Sequence, residues 1–476
     1  MAPRKLHIAL LASPGMGHLS PVLLLGRRLV TEHDLLVTIF SVTTDTTVSP
    51  VQAELVSTVT RNIHLPIIPI PAADISKVAN PNASVITQLN IMMRETVPVI
   101  RTAISSMDPR PDVLIFDIFA YASRVIAEEF GMSKFLFVTA NAWFTALFTY
   151  SPVLDKEVVG QYIDQTGPLE IPGCKPVRPE DVIDPMVDRN DETYGFYLEQ
   201  AVGATLTDGI LINTWEVLEP QSVDALRNNE ILRSVVKNKP VYTVGPIIKT
   251  GGVKSDVIEW LDKQPEESVT YVSFGSGGTI SAKQIEELAW GLELSQQRFI
   301  WVVRPPCGHA SDGSFFRPGD LDGPGCPTSF FPKGFLSRIQ KVGFIVLSWA
   351  PQVEILNHKS VGGFLTHCGW NSTLESITSG VPMITWPLYA EQNMNATMLV
   401  EELEIAVRPE VLPTKKVVGR DEIEKMVRVL MDSEKGKEMR EKAKILKKGA
   451  EEAITENGSS YISMCKLIEN CWSKIQ

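Results

Sequence analysis

Short apolar runs rich in Val, Ile, Leu and Phe alternate with longer amphipathic stretches in the first half of the chain. The apolar runs occupy residues 6–12, 35–42, 112–117, 134–139 and 209–214. Continuous runs of this length are typical of parallel β-strands that are buried on both faces. Between the first two runs, residues 21–33 predict a helix whose proline suits a first helical turn.

The same alternation restarts in the second half. Strand-like runs occupy residues 268–276, 298–304, 343–349, 362–367 and 382–387, and residues 282–294 predict a helix. An alternation of this kind predicts an α/β architecture with right-handed crossovers. Two successive series predict two Rossmann-like lobes with parallel sheets.

A Gly- and Pro-rich stretch at residues 244–255 is the predicted linker between the lobes. We therefore divide the chain into an N-terminal lobe of residues 1–245, a C-terminal lobe of residues 246–455 and a terminal segment of residues 456–476. The terminal segment carries an apolar pattern over residues 461–475 that predicts a helix.

Composition and charge exclude several classes of protein. The chain has 476 residues, 44% of them hydrophobic and 21% charged, which fits a folded protein of two or three domains. The net charge of −11 argues against nucleic-acid binding, which requires a basic face. No apolar run reaches the length of about 18 residues that a membrane span needs, and the first run predicts a strand rather than a signal peptide. We expect a cytoplasmic protein.

The six cysteines are scattered and lack the spacing of a zinc site. We interpret them as reduced thiols, with pairing of Cys307 and Cys326 as the alternative in an oxidising compartment.

Two Gly-rich turns each follow a predicted strand. The first, Ser13–His18, lacks the third glycine of a dinucleotide fingerprint, because Ser20 stands in that position. It is either a plain strand–helix corner or, given His18 at the edge where α/β sheets bind ligands, part of a site. The second turn, Ser273–Gly278, offers backbone N–H groups and the hydroxyl of Ser276 to a phosphate, or is a plain turn.

His18 and Asp117 are the candidate catalytic pair. An imidazole has the near-neutral pKa that a general base requires, and Asp117 ends the predicted strand 112–117 at the same edge of the sheet. A carboxylate at one ring nitrogen would fix the tautomer and stabilise the imidazolium. The alternative interpretation of Asp117 is a strand-end cap.

Residues 349–392 combine three kinds of ligand-binding chemistry. Trp349 offers an aromatic plane for a base, residues 367–373 offer a turn into a helix N-terminus for a phosphate, and Glu391 and Gln392 offer an acid–amide pair for hydroxyl groups. The alternatives are helix capping within the turn and a solvated helix start at the acid–amide pair. Together the three features indicate a nucleotide-sugar site, and so an enzyme that transfers sugars.

The segment 349–392 closely resembles the signature box of plant secondary-product glycosyltransferases, the UDP-sugar-dependent family 1 enzymes. The specific elements are Trp-Ala-Pro-Gln, His-Cys-Gly-Trp-Asn-Ser and the final Gln392. The resemblance extends from the first Gly-rich turn to the terminal helix. It implies the GT-B fold, in which two facing Rossmann-like lobes bind the acceptor and the UDP-sugar respectively and the terminal helix packs back on the first lobe.

The resemblance also implies which residues contact the donor. Uracil would contact Trp349 and Ala350, and the ribose would contact Gln352 and Glu375. The diphosphate would bind to Ser276, His367, Asn371 and Ser372. The sugar would contact Trp370, Glu391 and Gln392. In this family a terminal Gln is associated with UDP-glucose. Glu391 stands where many relatives have Asp.

The activity that the resemblance implies is inverting O-glucosylation, with His18 as base and Asp117 as its partner. The acceptor class it favours is small phenols, monolignols and flavonoids, partly because of the long insertion at residues 305–332. The tentative acceptor pocket contains Gly15, Phe119, Trp143 and Tyr389. We expect a monomer with no cofactor and no metal; the one D-x-D pair, Asp320 and Asp322, lies in the long insertion.

Other functions remain open at this point. They are a non-catalytic UDP-sugar sensor, a transferase that uses another UDP-sugar, a nicotinamide oxidoreductase and an interaction scaffold. Loss of the base would indicate the sensor, but both His18 and Asp117 are present. The broken fingerprint at Ser20 opposes the oxidoreductase, and a scaffold leaves the chemistry of residues 349–392 unexplained.

Overall fold

The computed structural model describes residues 4–44, 50–80, 83–249, 255–306, 327–347 and 349–474. Contacts between Cα atoms divide the chain into two units. The first unit contains the described residues of Met1–Glu180, Pro185–Ile248 and Glu452–Gln476, and the second those of Asp181–Asp184 and Lys249–Glu451. The pair Asp320 and Asp322, the cysteines Cys307 and Cys326 and part of the predicted linker lie outside the described residues.

The first unit is built on a parallel sheet that has seven strands within the described residues. These are β1 (His7–Ala12), β2 (Leu36–Thr43), β3 (Ile67–Pro71), β4 (Val113–Asp117), β5 (Ser133–Val138), β6 (Gly209–Ile212) and β7 (Val241–Thr243). Their order across the sheet is β3-β2-β1-β4-β5-β6-β7, and every pairing is parallel.

Helices follow most strands of this sheet, as in other α/β folds. They are α1 (Met16–His33), α2 (Pro50–Thr60), α3 (Val85–Ser105), α4 (Arg124–Phe130), α5 (Ala142–Glu157), α6 (Glu192–Ala204), α7 (Pro220–Asn228) and α8 (Glu230–Val235). No helix in the described part of the chain is both long and apolar enough to cross a membrane.

The second unit repeats the design around a parallel sheet with six described strands. They are β8 (Val269–Ser273), β9 (Arg298–Val303), β10 (Gly343–Leu347), β11 (Val361–Thr366), β12 (Met383–Thr385) and β13 (Ala406–Val407), in the order β10-β9-β8-β11-β12-β13. Its helices are α9 (Asp256–Leu261), α10 (Ala282–Ser295), α11 (Phe335–Arg338), α12 (Gln352–Leu356), α13 (Trp370–Ser379), α14 (Gln392–Thr397), α15 (Arg420–Asp432) and α16 (Glu434–Ala453).

The last helix, α17 (Ser459–Ser473), belongs to the first unit. Its residues Met464, Leu467 and Cys471 are fully buried in the core that also contains β1 and β2. The amide of Asn470 donates a hydrogen bond of 2.8 Å to the hydroxyl of Tyr242 on β7. Helix α17 thus packs into the same hydrophobic core as β1 and β2.

The order of strands reverses direction once in each sheet. In the first sheet the chain moves outward from β1 to β2 and β3, and then returns to the other side of β1 with β4; in the second sheet β8 and β11 have the same relation. Loops that leave two such neighbouring strands in opposite directions open a crevice at the carboxyl ends, which is where α/β sheets bind ligands. The fold therefore predicts one binding edge per unit.

The ten strands predicted from the sequence are all present, and the two-lobe α/β interpretation is confirmed. One detail is wrong: α1 begins at Met16, so Pro21 lies inside the helix and not in its first turn. The reason is Gly15, which turns the chain with a φ of 102° and lets the helix start immediately after it. His18 is therefore a residue of the first helical turn.

Helices α10 and α15 pack so closely that only glycine fits at position 291. A Cβ atom there would lie 2.5 Å from Cβ of Ile423 and 2.9 Å from the carbonyl oxygen of Arg420. We expect Gly291→Ala to destabilise the second unit by about 1–3 kcal/mol, because the extra methyl group forces the helices apart. Thermal unfolding measures the effect.

Gly195 in α6 is the matched control, since a Cβ there would have no neighbour within 4 Å. Gly195→Ala should stabilise the first unit by about 0.5–1 kcal/mol through the lower entropy of the unfolded chain. Equal melting temperatures for the two variants would contradict this description of the α10–α15 contact.

Candidate active site

Asp117 is fixed at the carboxyl end of β4 by three hydrogen bonds. Its Oδ2 accepts the backbone N–H of Ser13 at 2.7 Å and the hydroxyl of Ser13 at 2.5 Å. Its Oδ1 accepts the N–H of Ala120 at 3.2 Å, which caps a 3₁₀ helix, Ile118–Ser123. The carboxyl group is fully buried. The predicted capping role is therefore real, and it coexists with the position beside His18.

His18 lies next to this fixed carboxylate. Its Nδ1 is 3.6 Å from Oδ2 of Asp117, an ion-pair distance, and 3.5 Å from the hydroxyl oxygen of Thr139. The edge of its ring faces Phe119, with the ring centroids 4.9 Å apart. The side chain is 19% exposed, so the imidazole is accessible although its partner is buried.

Burial lowers the pKa of His18 below its ordinary value of 6.5, and the charge of Asp117 opposes part of this effect. The imidazole is therefore neutral at pH 7, with one nitrogen free to accept a proton. This is the state that a general base must occupy.

Of the other residues predicted near this edge, Gly15 and Phe119 are half-buried. Trp143 is fully buried in the first unit, which corrects the prediction that it lines an acceptor pocket. Its backbone N–H is bonded instead to the buried carboxylate of Glu219, at 3.0 Å, at the start of α5. A large apolar ring in the first turn of a buried helix belongs to the core.

In the second unit, His367 follows β11 and is held between two glycines. A Cβ atom at Gly275 or at Gly369 would lie 2.4 Å from Nε2 of His367. Only glycine at both positions leaves room for the imidazole, and Gly275 also has a φ of 74°. The two Gly-containing turns thus meet at one ring, at the point where the second sheet reverses its strand order.

Burial, reinforced by the charge of Arg304, lowers the pKa of His367 to about 4. The ring is neutral at pH 7 and offers a hydrogen-bond donor but no positive charge. Arg304 is a neighbouring cation that the sequence analysis did not identify. It directly follows β9, and its guanidinium group donates a hydrogen bond to the carbonyl oxygen of Ser276. The Ser276 side chain is exposed.

Helix α13 begins at Trp370 after Gly369, and no side chain caps its N-terminus. The N-terminus of a helix favours an anion through its backbone N–H groups and its dipole. Asn371 is half-buried, whereas Ser372 and Trp370 are buried. The Trp370 ring, at 3% exposure, offers little surface to a sugar.

Gln352 connects the two helices at this edge. Its Nε2 donates to Oε2 of Glu375 at 2.7 Å and to the hydroxyl of Ser372 at 2.8 Å. Burial raises the pKa of Glu375 to about 7, against the opposing effect of the Gln352 hydrogen bond. The predicted ribose-binding pair, Gln352 and Glu375, is thus in direct contact.

Trp349 is 37% exposed, more than most aromatic rings among the described residues, and Nζ of Lys249 lies 5.8 Å from its centroid. Ala350, next to it, is buried. An exposed indole face beside a cation is suited to stacking on a planar base.

Gln392 is buried, and its Oε1 accepts the N–H groups of Leu388 at 2.9 Å and Tyr389 at 3.1 Å. Asn395 donates to Oε1 of Glu391 at 3.1 Å and to the carbonyl oxygen of Cys368 at 2.9 Å. Burial raises the pKa of Glu391. The acid–amide pair is thus built into the start of α14 rather than solvated, and Asn395 is a supporting residue that the sequence did not reveal.

The described residues contain no group of three or more His, Cys, Asp or Glu side chains placed to hold a metal ion. The first edge holds an accessible imidazole beside a buried carboxylate, and the second holds hydrogen-bond donors, an exposed indole ring and the buried carboxyl group of Glu375.

Comparison with known proteins identifies the family. Residues 228–439 match the family model described as UDP-glucoronosyl and UDP-glucosyl transferase. Anthocyanidin 3-O-glucosyltransferase 5 of Manihot esculenta is 50% identical over 473 residues, which cover 99% of this chain and 96% of that protein.

Solved structures of similar proteins lead to the same family. The crystal structure of TcCGT1 in complex with UDP has a TM-score of 0.92 at 47% identity and covers 99% of this chain and 100% of that one. Phytolacca americana UGT2 complexed with UDP-2fluoro-glucose and pterostilbene has a TM-score of 0.86 at 36% identity, with 98% and 100% covered.

The chain therefore belongs to the family of UDP-glucuronosyl and UDP-glucosyl transferases, as a plant family 1 member with the two-lobe GT-B fold. It is an enzyme that transfers a sugar from a UDP-sugar.

The glycine cage around His367 gives a prediction that does not depend on activity. In Gly275→Ala the new methyl group occupies the space of the imidazole, so the ring must leave its buried position. The pKa of His367, about 4 in the wild type, should then rise toward the ordinary value, as measured by NMR titration. Binding of UDP should weaken by about tenfold or more, the cost of losing one buried donor.

Gly334→Ala is the control, because Gly334 has a similar φ of 77° but only the flexible end of Arg338 as a neighbour. It carries the same backbone strain and should change neither the titration nor the affinity for UDP. An unchanged His367 titration in Gly275→Ala would show that the cage does not set the position of the ring.

Proposed function

We propose that the protein is an inverting UDP-glucose-dependent O-glucosyltransferase that acts on small phenolic acceptors, with His18 as general base and Asp117 as its orienting partner. The observation that carries the proposal is the accessible, neutral imidazole of His18, 3.6 Å from a fully buried carboxylate that three hydrogen bonds hold in place.

The base would act through Nε2, because Nδ1 faces Asp117. It takes the proton of an acceptor hydroxyl while the acceptor oxygen attacks the anomeric carbon of the donor sugar. The bond between that carbon and the diphosphate oxygen breaks, and UDP leaves from the opposite face. The negative charge of Asp117 stabilises the imidazolium that results.

The second unit would stabilise the leaving diphosphate. The N–H groups at the start of α13, the hydroxyl of Ser276 and the neutral His367 are hydrogen-bond donors, and Arg304 adds a positive charge. Preorganised donors of this kind need no rearrangement as the charge develops. Trp349, Gln352 and Glu375 would hold the uridine, and Glu391 and Gln392 the sugar.

The preference for glucose rests on Gln392, and that for phenols on the half-buried ring of Phe119 beside His18. The preference for phenols is also supported by relatives that are named for such acceptors, an anthocyanidin glucosyltransferase and a hydroquinone glucosyltransferase of Rauvolfia serpentina. The alternative, another UDP-sugar, depends on the same residues and is separated from glucose by a donor panel.

The first experiment is incubation of the purified protein with UDP-glucose and a panel of phenols, monolignols and flavonoids, in the presence of EDTA. Mass spectrometry should detect products heavier by one hexose, and NMR should show the β-configuration. Absence of a product with every UDP-sugar tested, together with normal binding of UDP, would contradict the proposal.

His18→Ala should lower kcat for an alcohol acceptor by about 10²–10⁴-fold, the usual contribution of a general base. Binding of UDP, measured by calorimetry, should be unchanged, because the donor residues lie in the other unit. His64→Ala, which removes an exposed imidazole of the first unit, should leave kcat unaltered. If His18→Ala kept its activity, another group would be the base.

The pH dependence of kcat/KM tests whether Asp117 is the partner of His18. Since burial lowers the pKa of His18, the neutral base persists to lower pH, and the acid limb should have its midpoint below 6.5. The carboxylate of Asp117 raises that pKa, so Asp117→Asn should move the limb to still lower pH while it reduces kcat.

Asp164→Asn, an exposed carboxylate of the first unit, is the control and should leave the profile unchanged. An acid limb that moves to higher pH in Asp117→Asn would overturn the assignment of Asp117 as the partner of His18.

A further inference from the structure

Four residues from the first half of the chain, Asp181–Asp184, group with the second unit. The residues on either side of them belong to the first unit. No motif marks them in the sequence. The first and last of them, Asp181 and Asp184, bond to α14, the helix that starts with Gln392, and to the loop before it.

Asp184 holds both peptide groups of Ala390. Its Oδ2 accepts the N–H of Ala390 at 2.6 Å, and its own backbone N–H donates to the carbonyl oxygen of Ala390 at 3.1 Å. Ala390 has a φ of 58°, a left-handed conformation that is unfavourable for a residue with a Cβ atom. The two hydrogen bonds offset that cost and fix the turn.

Asp181 holds the other end of the same helix. It is fully buried, and its Oδ2 accepts the hydroxyl of Thr397, the last residue of α14, at 2.9 Å. Arg408 forms two further bonds to the carboxylate, at 2.9 and 3.2 Å. A buried bidentate pair of this kind defines position as well as charge.

The loop between β12 and α14 is therefore fixed from two sides. The side chain of Gln392 accepts the N–H groups of Leu388 and Tyr389, and Asp184 accepts the next one, of Ala390. Three successive amides thus point at side-chain oxygens, and the position of Gln392 depends on the geometry of this loop.

We propose that Asp184 and Asp181 are positioning residues for the donor sugar: they clamp Tyr389–Gln392 and α14 so that Glu391 and Gln392 meet the sugar hydroxyls in a defined orientation. The inference rests on the proposed function in so far as Glu391 and Gln392 bind the sugar. Neither aspartate touches the donor; both act through the loop. Their loss should therefore affect recognition of the sugar more than recognition of UDP.

The test compares Asp184→Ala with the wild type in three measurements. The KM for UDP-glucose should rise about fivefold, the cost of one lost hydrogen bond in the loop, while inhibition by UDP stays within about twofold. The preference for UDP-glucose over UDP-galactose, which differs at one hydroxyl, should fall. Hydrogen exchange of the Ala390 amide should become faster.

Two further variants separate positioning from general stability. Asp184→Asn keeps an acceptor oxygen and should restore most of the KM and of the exchange protection. Glu180→Ala removes the adjacent exposed carboxylate and should behave as the wild type. If Asp181→Ala fails to fold, because Arg408 loses its buried partner, the Asp184 series still decides the question.

The outcomes are distinct. An unchanged KM, donor preference and exchange rate in Asp184→Ala would overturn the clamp. A wild type that does not use UDP-glucose would overturn the proposed donor instead. In that case the exchange of the Ala390 amide and the preference between the accepted UDP-sugar and its epimer would still test the clamp.

Discussion

The reversal of strand order in each sheet is the constraint on which the rest of the molecule depends. Every pairing in both sheets is parallel, so all strand ends of one kind lie at one edge. The loops that follow the neighbouring strands β1 and β4 lead to opposite sides of the sheet. The same holds for the loops that follow β8 and β11. The space between those loops is the crevice in which α/β sheets bind ligands. His18 and Asp117 follow one pair of strands, and the glycine turns and His367 follow the other.

Burial gives the titratable groups at these edges their chemical state. Both histidines are neutral at pH 7 because desolvation disfavours the imidazolium. The carboxyl groups of Glu375 and Glu391 have raised pKa values for the same reason. The first unit thus keeps a base free to accept a proton. The second unit holds hydrogen-bond donors and, at Glu375, a carboxyl group whose pKa of about 7 keeps it partly protonated at neutral pH.

The sequence was sufficient for the long elements and for the pair of residues at the strand ends. Continuous apolar runs identified ten strands, and edge topology placed His18 near Asp117 across about a hundred positions of sequence. The three strands it missed, β3, β7 and β13, are all at sheet edges. β3 contains two prolines, which edge strands tolerate, and β13 has only two residues. The sequences of β3 and β13 therefore have no pattern that distinguishes them from loops.

The failures within the site have one physical origin, which is that side-chain burial depends on packing across the fold. Trp143 has the residue type of a pocket wall, but the helix around it is buried. The contact between Asp184 and Ala390 joins positions 206 apart, and an aspartate in an irregular segment has no periodicity to reveal it. The amide of Asn395 is fully buried and bonded to Glu391 and to the carbonyl oxygen of Cys368, contacts that its place in the sequence does not indicate.

The membership of Asp181–Asp184 in the second unit has a consequence for how such enzymes can be recombined. The two units look like exchangeable modules joined at a linker near residue 248. A chimera cut there would combine the aspartates of one parent with the Arg408, Thr397 and Ala390 positions of another. It would also separate α17 from the core it completes. The segments that hold the loop before α14 are thus not contiguous in the sequence. An exchange that preserves this loop must move residues 181–184 together with the second half of the chain.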